Sequence, residues 1–574
     1  MRRLIFTMTF LLLPFALLAE VFRAVVIPVE FSDVSFKDRQ SGVFFKTSTA
    51  TSYFNDQFSP SRTFSFTVLS TVHLPRGYAS YGVNSSSVKD LYIGQLVREA
   101  VELSGTNLSS YDNDSDGAVD IVYIIAAGSS ESDGAGADHI WPRQGRLSER
   151  GEAFSYFGKT IDSFAVCTES SSPAVFCHEF AHQFGLMDMY DTDGSGSGGT
   201  AKGLWGSLSV MDKGISESSD RLPPNFCAVE LDQLGLGTRI PFTTGAFRLR
   251  PLSVRKEYMR IDTDTEGEYY LLECRKAEGW DSGIGGSGLV IYHIDRSENN
   301  SWYSDLYVRN LSALERWQYN QVNCRPDRPC AQVVTAIPGA TKVSKVFFPQ
   351  PGHTVFASDT DPSFRYWNGS ASQYAIDDIV LDADGNVYFN LIAPINVLAT
   401  HVFQDAMIFN WTTANELDIN DCYISWHDSS DKSGSIIGTA TAKKQDDGMF
   451  FCVIEDLEPS TTYRIRIRGR SANGHIYSSE MDLSTKGVQK GVRPFIYLNS
   501  LSRRDDGSFH LGDRIPMRVY NLSGVIEVVW YFNGVRMRPE SDGYWHLTQS
   551  GTLKAEIWYT DGSMEIITRK MTVR

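Results

Sequence analysis

His178-Glu179-Phe180-Ala181-His182-Gln183-Phe184-Gly185-Leu186-Met187-Asp188 is an HExxHxxGxxD string. Residues i and i+4 of a helix lie on one face, so His178 and His182 can bind a single zinc ion, with Glu179 beside its open position. No cysteine lies within the string. That favours a catalytic centre, which keeps a place for water, over a structural one, which takes four protein ligands. A bare HExxH is expected by chance in roughly one chain of this length in a hundred; Gly185 and Asp188 lower that further. Ala174, Val175, Phe176, Phe180, Ala181 and Phe184 give the helix an apolar surround. Pro173 suits its first turn after a Ser172 cap. Gly185 can take positive φ and stop the helix sharply, letting the chain fold back to bring Asp188 to the metal. The bland reading is a buried helix with two satisfied histidines.

A chain of 574 residues is too long for one hydrophobic core and predicts several domains. Hydrophobic content of 42% and aromatic content of 12% describe globular, not disordered, protein. A formal charge of −16 argues against a nucleic-acid partner. Residues 1–19 read as a signal peptide: Arg2 and Arg3, an apolar Leu4–Leu18 run, and Ala19 at the cut. No other run approaches a membrane span. The expected location is therefore exported: secreted, periplasmic or at the cell surface. Eight cysteines permit disulfides there, with Cys324–Cys330 and Cys422–Cys452 the candidate pairs.

The domains expected are a catalytic domain at 20–240, a β-rich continuation at 241–392, and two all-β domains at 393–487 and 488–574. The run Val21–Phe31 reads as a strand, Leu91–Leu103 as a helix and Asp120–Ala127 as a buried strand, which together predict an α/β lobe. Gly194–Gly199 reads as a loop near the site. Glu268–Glu273 and Gly288–Ile294 are strand-like. Residues 393–487 look like a fibronectin type III sandwich, with Trp411 in an early strand and Leu457–Ile467 as its tyrosine-corner segment. Val528–Gly534 and Ser550–Trp558 suggest an immunoglobulin-like sandwich. Trp545 is a candidate glycan contact, although core packing is the commoner role for such a residue.

Three segments together resemble the immune inhibitor A-type secreted metallopeptidases. They are His178–Asp191, Tyr111–Asp120, and Glu268–Arg275 continuing through Gly279–Asp281 to Gly288–Asp295. The resemblance spans about residues 21–391. It implies a metzincin-like zinc endopeptidase acting on proteins, with calcium as a structural ion; a narrower variant is a peptidase for a glycoprotein, directed by its C-terminal modules. Asp188 holds the third-ligand place, and Asp191 is the alternative. Glu179 is the expected general base. Gly203–Gly214 looks like a methionine turn of the kind that underlies zinc in metzincins. Met211 would then be packing support rather than a ligand, although its interval from Trp205 is longer than usual. Family members often carry a pro-segment, whereas here the first strand-like run follows the leader directly.

Asp112, Asp114, Asp116 and Asp120 have the spacing of a calcium loop, with Gly117 at its turn. Tyr123 stands where an EF-hand requires glutamate, so the loop is not a complete EF-hand. The competing functional class is a binding or adhesive protein with a vestigial catalytic domain, its β-sandwiches being the working part.

Overall fold

A computed structural model of the protein describes residues 20–85, 89–194, 203–204, 207–213, 221–298, 303–304, 310–431, 433–445, 447–472, 474–487, 494–496, 498, 507–520, 522, 524–540 and 543–574. The leader-like stretch 1–19, residues 195–199 of the glycine-rich piece, and Trp205, Gly206 and Gly214 of the methionine-turn segment lie outside them. The chain divides into two compact units. One runs to Val355 and includes Ile376–Leu391; the other comprises Phe356–Ala375 and Ile392–Arg574. Residues 356–375, expected within the β-rich continuation, therefore group with the second unit.

The first unit opens with β1 (Glu20–Glu30), helix α1 (Lys46–Gln57), β2 (Arg62–Val68) and helix α2 (Ile93–Ser104). Then come β3 (Val122–Ala126), β4 (Arg143–Arg146) and β5 (Ser163–Thr168). The sheet order is β2-β1-β3-β5-β4. Its inner pairings are parallel, and β4 closes one edge antiparallel to β5. Strand periodicity explains the layering. Phe22, Ala24 and Val26 of β1 face one core with Tyr53 and Phe54 of α1 and with Phe176 and Phe180. Val25, Ile27 and Val29 face the other, with Leu96, Val97 and Ala100 of α2. Burying both faces requires near-continuous apolar runs, and β1 and β3 have them.

Helix α3 (Pro173–Ala181) carries the first part of the zinc-type string, and α4 (Ala228–Leu234) follows. A second sheet orders β6 (Thr238–Ile240), β7 (Glu257–Asp262), β8 (Glu268–Arg275), β9 (Gly288–Asp295) and β10 (Ala331–Val334). The short helix α5 (Ala313–Gln318) lies between β9 and β10. Tyr269, Leu271, Val290, Tyr292 and Trp317 share one hydrophobic cluster with Phe176, Phe180 and Met211. The β-rich continuation thus shares the hydrophobic core of the α3 region.

In the second unit, one sheet orders Ile395–Val402, Met407–Thr413, Phe450–Ile454 and Lys443–Lys444. Another orders Gly438–Thr441, Asp421–Asp428, Thr462–Arg470 and Ile476–Ser484. Trp411 is fully buried, stacked on Phe450 at 5.7 Å. Tyr463 Oη accepts the Glu458 N–H at 2.8 Å. A further four-stranded sheet orders Val535–Met537, Val525–Phe532, Gly551–Tyr559 and Met564–Met571. Trp545 packs on Phe532 at 4.5 Å against this core, so its ring is committed largely to packing.

All eight cysteines are free and buried, which corrects the expected disulfides. Cys324 lies 3.3 Å from Thr192 Oγ1, whereas Cys330 faces the Ala313 carbonyl. Cys422 and Cys452 belong to strands of different sheets. Closeness in sequence predicts pairing only when the side chains also turn toward each other. Among the described residues, no helix is long and apolar enough to cross a membrane.

Candidate metal centre

Helix α3 begins as its sequence dictates. Ser172 Oγ accepts the Val175 N–H at 3.1 Å, and Pro173 fills the first turn, where no N–H is needed. The α-helix ends at Ala181. His182 opens a single 3-10 turn that Gly185 stops at φ 82. The two histidines still share a face, with rings 4.8 Å apart at 86°.

Each imidazole is oriented by a carbonyl. His178 Nδ1 lies 2.9 Å from Val210 O, and His182 Nδ1 lies 2.7 Å from Leu186 O. A carbonyl can only accept, so each Nδ1 carries the proton and each neutral ring presents a lone pair at Nε2. Both Nε2 atoms face the same oxygen: Asp188 Oδ1 is 3.1 Å from His178 and 3.5 Å from His182. That oxygen is buried and accepts no hydrogen bond among the described residues. Three lone-pair donors therefore converge. Without a cation they coexist only if an imidazole takes a proton, and the pKa values follow that logic. Burial opposes charge on His178, yet Asp188 and Glu179 outweigh it and lift the ring to about 9. Burial pushes Asp188 up, but His182 and His178 outweigh it and hold the carboxyl well below its usual range. A divalent metal ion would satisfy all three donors without that proton, so the donor set fits zinc.

Glu179 is buried, and a carboxylate oxygen lies in one group with the two imidazoles, their candidate ligand atoms all within 4.8 Å of one another. Burial raises its pKa, against the pull of His178, His182 and Arg143. Asp191 does not join the pair. It groups instead with Asp193 and Cys324.

Met211 is fully buried, and its carbonyl accepts the Met189 N–H at 2.8 Å. Gly203 has φ 66, and a Cβ there would meet Met189 O at 2.6 Å, so this approach requires glycine. The turn is held from below. Glu230, at the N-terminus of α4, accepts hydrogen bonds from Ser209 Oγ and Cys227 N, and burial lifts it to about 7. Arg275 Nη1 donates to Leu208 O at 3.0 Å.

The sequence assigns no individual role at the site to Val210, Tyr190, Arg275 or Asn320. The Tyr190 ring stacks on His178 at 6.4 Å. Asn320 grips Asp188 by two hydrogen bonds. The Asp-rich loop is only partly assembled: Asp112, Asp114 and Asp120 come together, whereas Asp116 Oδ1 is turned to cap Ala118 N. Lys159 Nζ sits 2.5 Å from Asp112 Oδ2 and holds that carboxyl below its usual range.

Residues 28–219 match the family profile for the catalytic domain of immune inhibitor A peptidase M6. This segment is similar to peptidase M6 catalytic domains. Immune inhibitor A of Bacillus thuringiensis subsp. alesti is 28% identical over 185 residues, covering 27% of each chain. The pre-pro-metalloprotease PrtV of Vibrio cholerae serotype O1 strain M66-2 is 30% identical over 158 residues, which is 21% of this chain and 16% of PrtV. The aligned region thus spans about a quarter of the first relative and about a sixth of the second. The M6 match ends at residue 219, so Arg275 and Asn320 lie outside the matched segment although both support the centre.

Proposed function

We propose that the protein is an exported zinc-dependent endopeptidase that hydrolyses peptide bonds of extracellular proteins or glycoproteins. The carrying observation is the orphaned Asp188 Oδ1 facing two imidazole lone pairs, with the Glu179 carboxylate beside them. His178, His182 and Asp188 are the ligand set in this reading. Zinc held there would supply Lewis acidity to a scissile carbonyl and would lower the pKa of a water toward about 7. Glu179 takes the proton from that water and delivers it to the leaving amine. Its burial raises proton affinity, which suits a base that must then act as an acid. The antiparallel edge strand β4 offers an extended substrate main-chain hydrogen bonds along its open side.

The two four-stranded sheets over Ile395–Ser484, with Tyr463 tied to Glu458, favour a fibronectin type III-like sandwich. The sheet over Val525–Met571 favours an immunoglobulin-like one. In this reading they direct the peptidase to surfaces or glycans.

Metal analysis of the purified chain together with casein cleavage tests the proposal. One zinc per chain, with cleavage abolished by chelation and restored by zinc, is expected. A zinc-free, inert chain would favour the adhesive reading instead.

Calcium is proposed at Asp112, Asp114 and Asp120. Lys159 already neutralises one of the three carboxylates, so the residual charge drawing a cation is that of two. Selective calcium removal in zinc-replete buffer should lower the melting temperature by a few degrees. Unchanged melting would remove the ion from this loop.

A further inference from the structure

The third corner of the histidine pair is held from far along the chain. Asp188 follows Gly185 in a stretch with neither helix nor strand, so no regular backbone element aims its carboxylate. Asn320 supplies the aim. Its Oδ1 accepts the Asp188 N–H at 2.7 Å, and its Nδ2 donates to Asp188 Oδ2 at 2.6 Å. One amide thereby fixes both the backbone and the outer oxygen of the aspartate, leaving Oδ1 turned to the two Nε2 atoms. Asn320 is itself anchored. It sits just beyond α5 at φ 54, a left-handed conformation that asparagine tolerates better than other residues with a side chain. Thr192 Oγ1 donates to its carbonyl at 2.7 Å. Three residues on, Asn323 Nδ2 donates to Met189 O at 2.8 Å while its Oδ1 accepts the Ala331 N–H at 3.0 Å. The loop between α5 and β10 therefore grips residues 188–192 at three points. The chemistry is specific to an amide: a carboxylate at 320 would face Asp188 Oδ2 with like charge, and an apolar side chain would leave both groups unsatisfied.

We propose that Asn320 is the positioning residue that orients Asp188 toward the metal, so that a loop outside the matched M6 segment sets the affinity of the centre. The inference rests on the zinc reading above. Hydrogen-bond partners of ligating groups fix ligand orientation, and losing one typically weakens metal binding about 10–100-fold.

The test uses the full chain with Asn320→Gly and Asn320→Asp. Glycine keeps the left-handed backbone accessible and deletes both hydrogen bonds. Aspartate keeps the shape and the acceptor but removes the donor. Zinc affinity by chelator competition and the visible spectrum of the cobalt(II)-substituted protein are the readouts. Both variants should bind zinc about 10–100-fold more weakly and shift the cobalt bands. Activity at saturating zinc should fall by less than the affinity does. Wild-type affinity and an unshifted spectrum in the glycine variant would overturn the inference while leaving the zinc reading intact. A wild-type chain that takes up no zinc overturns both. If the aspartate variant does not fold, the glycine variant decides alone.

Discussion

Glu179→Gln should retain one zinc per chain and lose casein cleavage by roughly 10²–10⁴-fold, the range associated with a positioned acid–base group. Glutamine keeps the volume and an oxygen but cannot carry the proton. The neighbouring geometry makes the experiment clean. Each histidine is oriented by a carbonyl, Val210 O or Leu186 O, and not by Glu179. Asp188 is held by Asn320. The ligand set therefore survives the substitution, and lost activity cannot be ascribed to lost metal once zinc content is measured. His178→Ala is the contrast: it should lose zinc and activity together. Cleavage by Glu179→Gln within a few-fold of wild type would remove Glu179 from proton transfer and leave the proposed mechanism without a base.

The centre was legible from sequence where its causes are local. The Ser172 cap, Pro173, the apolar surround and Gly185 all act within one helix, and the structure places each where the pattern put it. The strands Glu268–Arg275 and Gly288–Asp295 were legible for the same reason. The choice between Asp188 and Asp191 was not, because both lie in an irregular stretch and only tertiary partners separate them. Asn320 was invisible: it is 132 residues from Asp188, and a lone asparagine after a short helix carries no periodic signal. The cysteine pairs were misread because spacing says nothing about which way a thiol points. The role of the Glu268–Asp295 region escaped the sequence too. Arg275 reaches the Leu208 carbonyl across 67 residues of chain, a contact that leaves no periodic trace.

That reach sets the second large effect. Arg275 is fully buried. Its Nε and Nη2 pair with both oxygens of Asp281 at 3.0 and 2.6 Å, and Nη1 meets Glu273 Oε1 at 3.0 Å and Leu208 O at 3.0 Å. Glu273 also accepts hydrogen bonds from Tyr292 Oη at 2.6 Å and from the N-terminal Ala228 N–H of α4, while Asp281 Oδ1 accepts Asn225 N at 2.9 Å. One guanidinium thus joins β8, the approach to α4 and the segment leading to Met211. Burial works against its charge, yet Asp281 and Glu273 outweigh it and raise the pKa well above the ordinary arginine value. Arg275→Met should destabilise the first unit by about 3–5 kcal/mol, the usual cost of stranding the other half of a buried ion pair. It should also weaken zinc binding, since Leu208 O loses its donor two residues before the Val210 carbonyl that orients His178. The sign with pH follows from the stranded carboxylates. Burial already raises Glu273 against the pull of Arg275, so without arginine its folded pKa rises further above its unfolded value. The defect should then be smallest at the acid end, where Glu273 is most nearly protonated folded and unfolded alike, and should grow as pH rises from its unfolded value through its raised folded one. Adding Glu273→Gln and Asp281→Asn to Arg275→Met should flatten that dependence. Urea unfolding of wild type and variants from pH 4 to 8 reads all of this. A loss below about 0.5 kcal/mol, within the scatter of ordinary surface substitutions, or a defect independent of pH, would show that the network does not hold the turn in place.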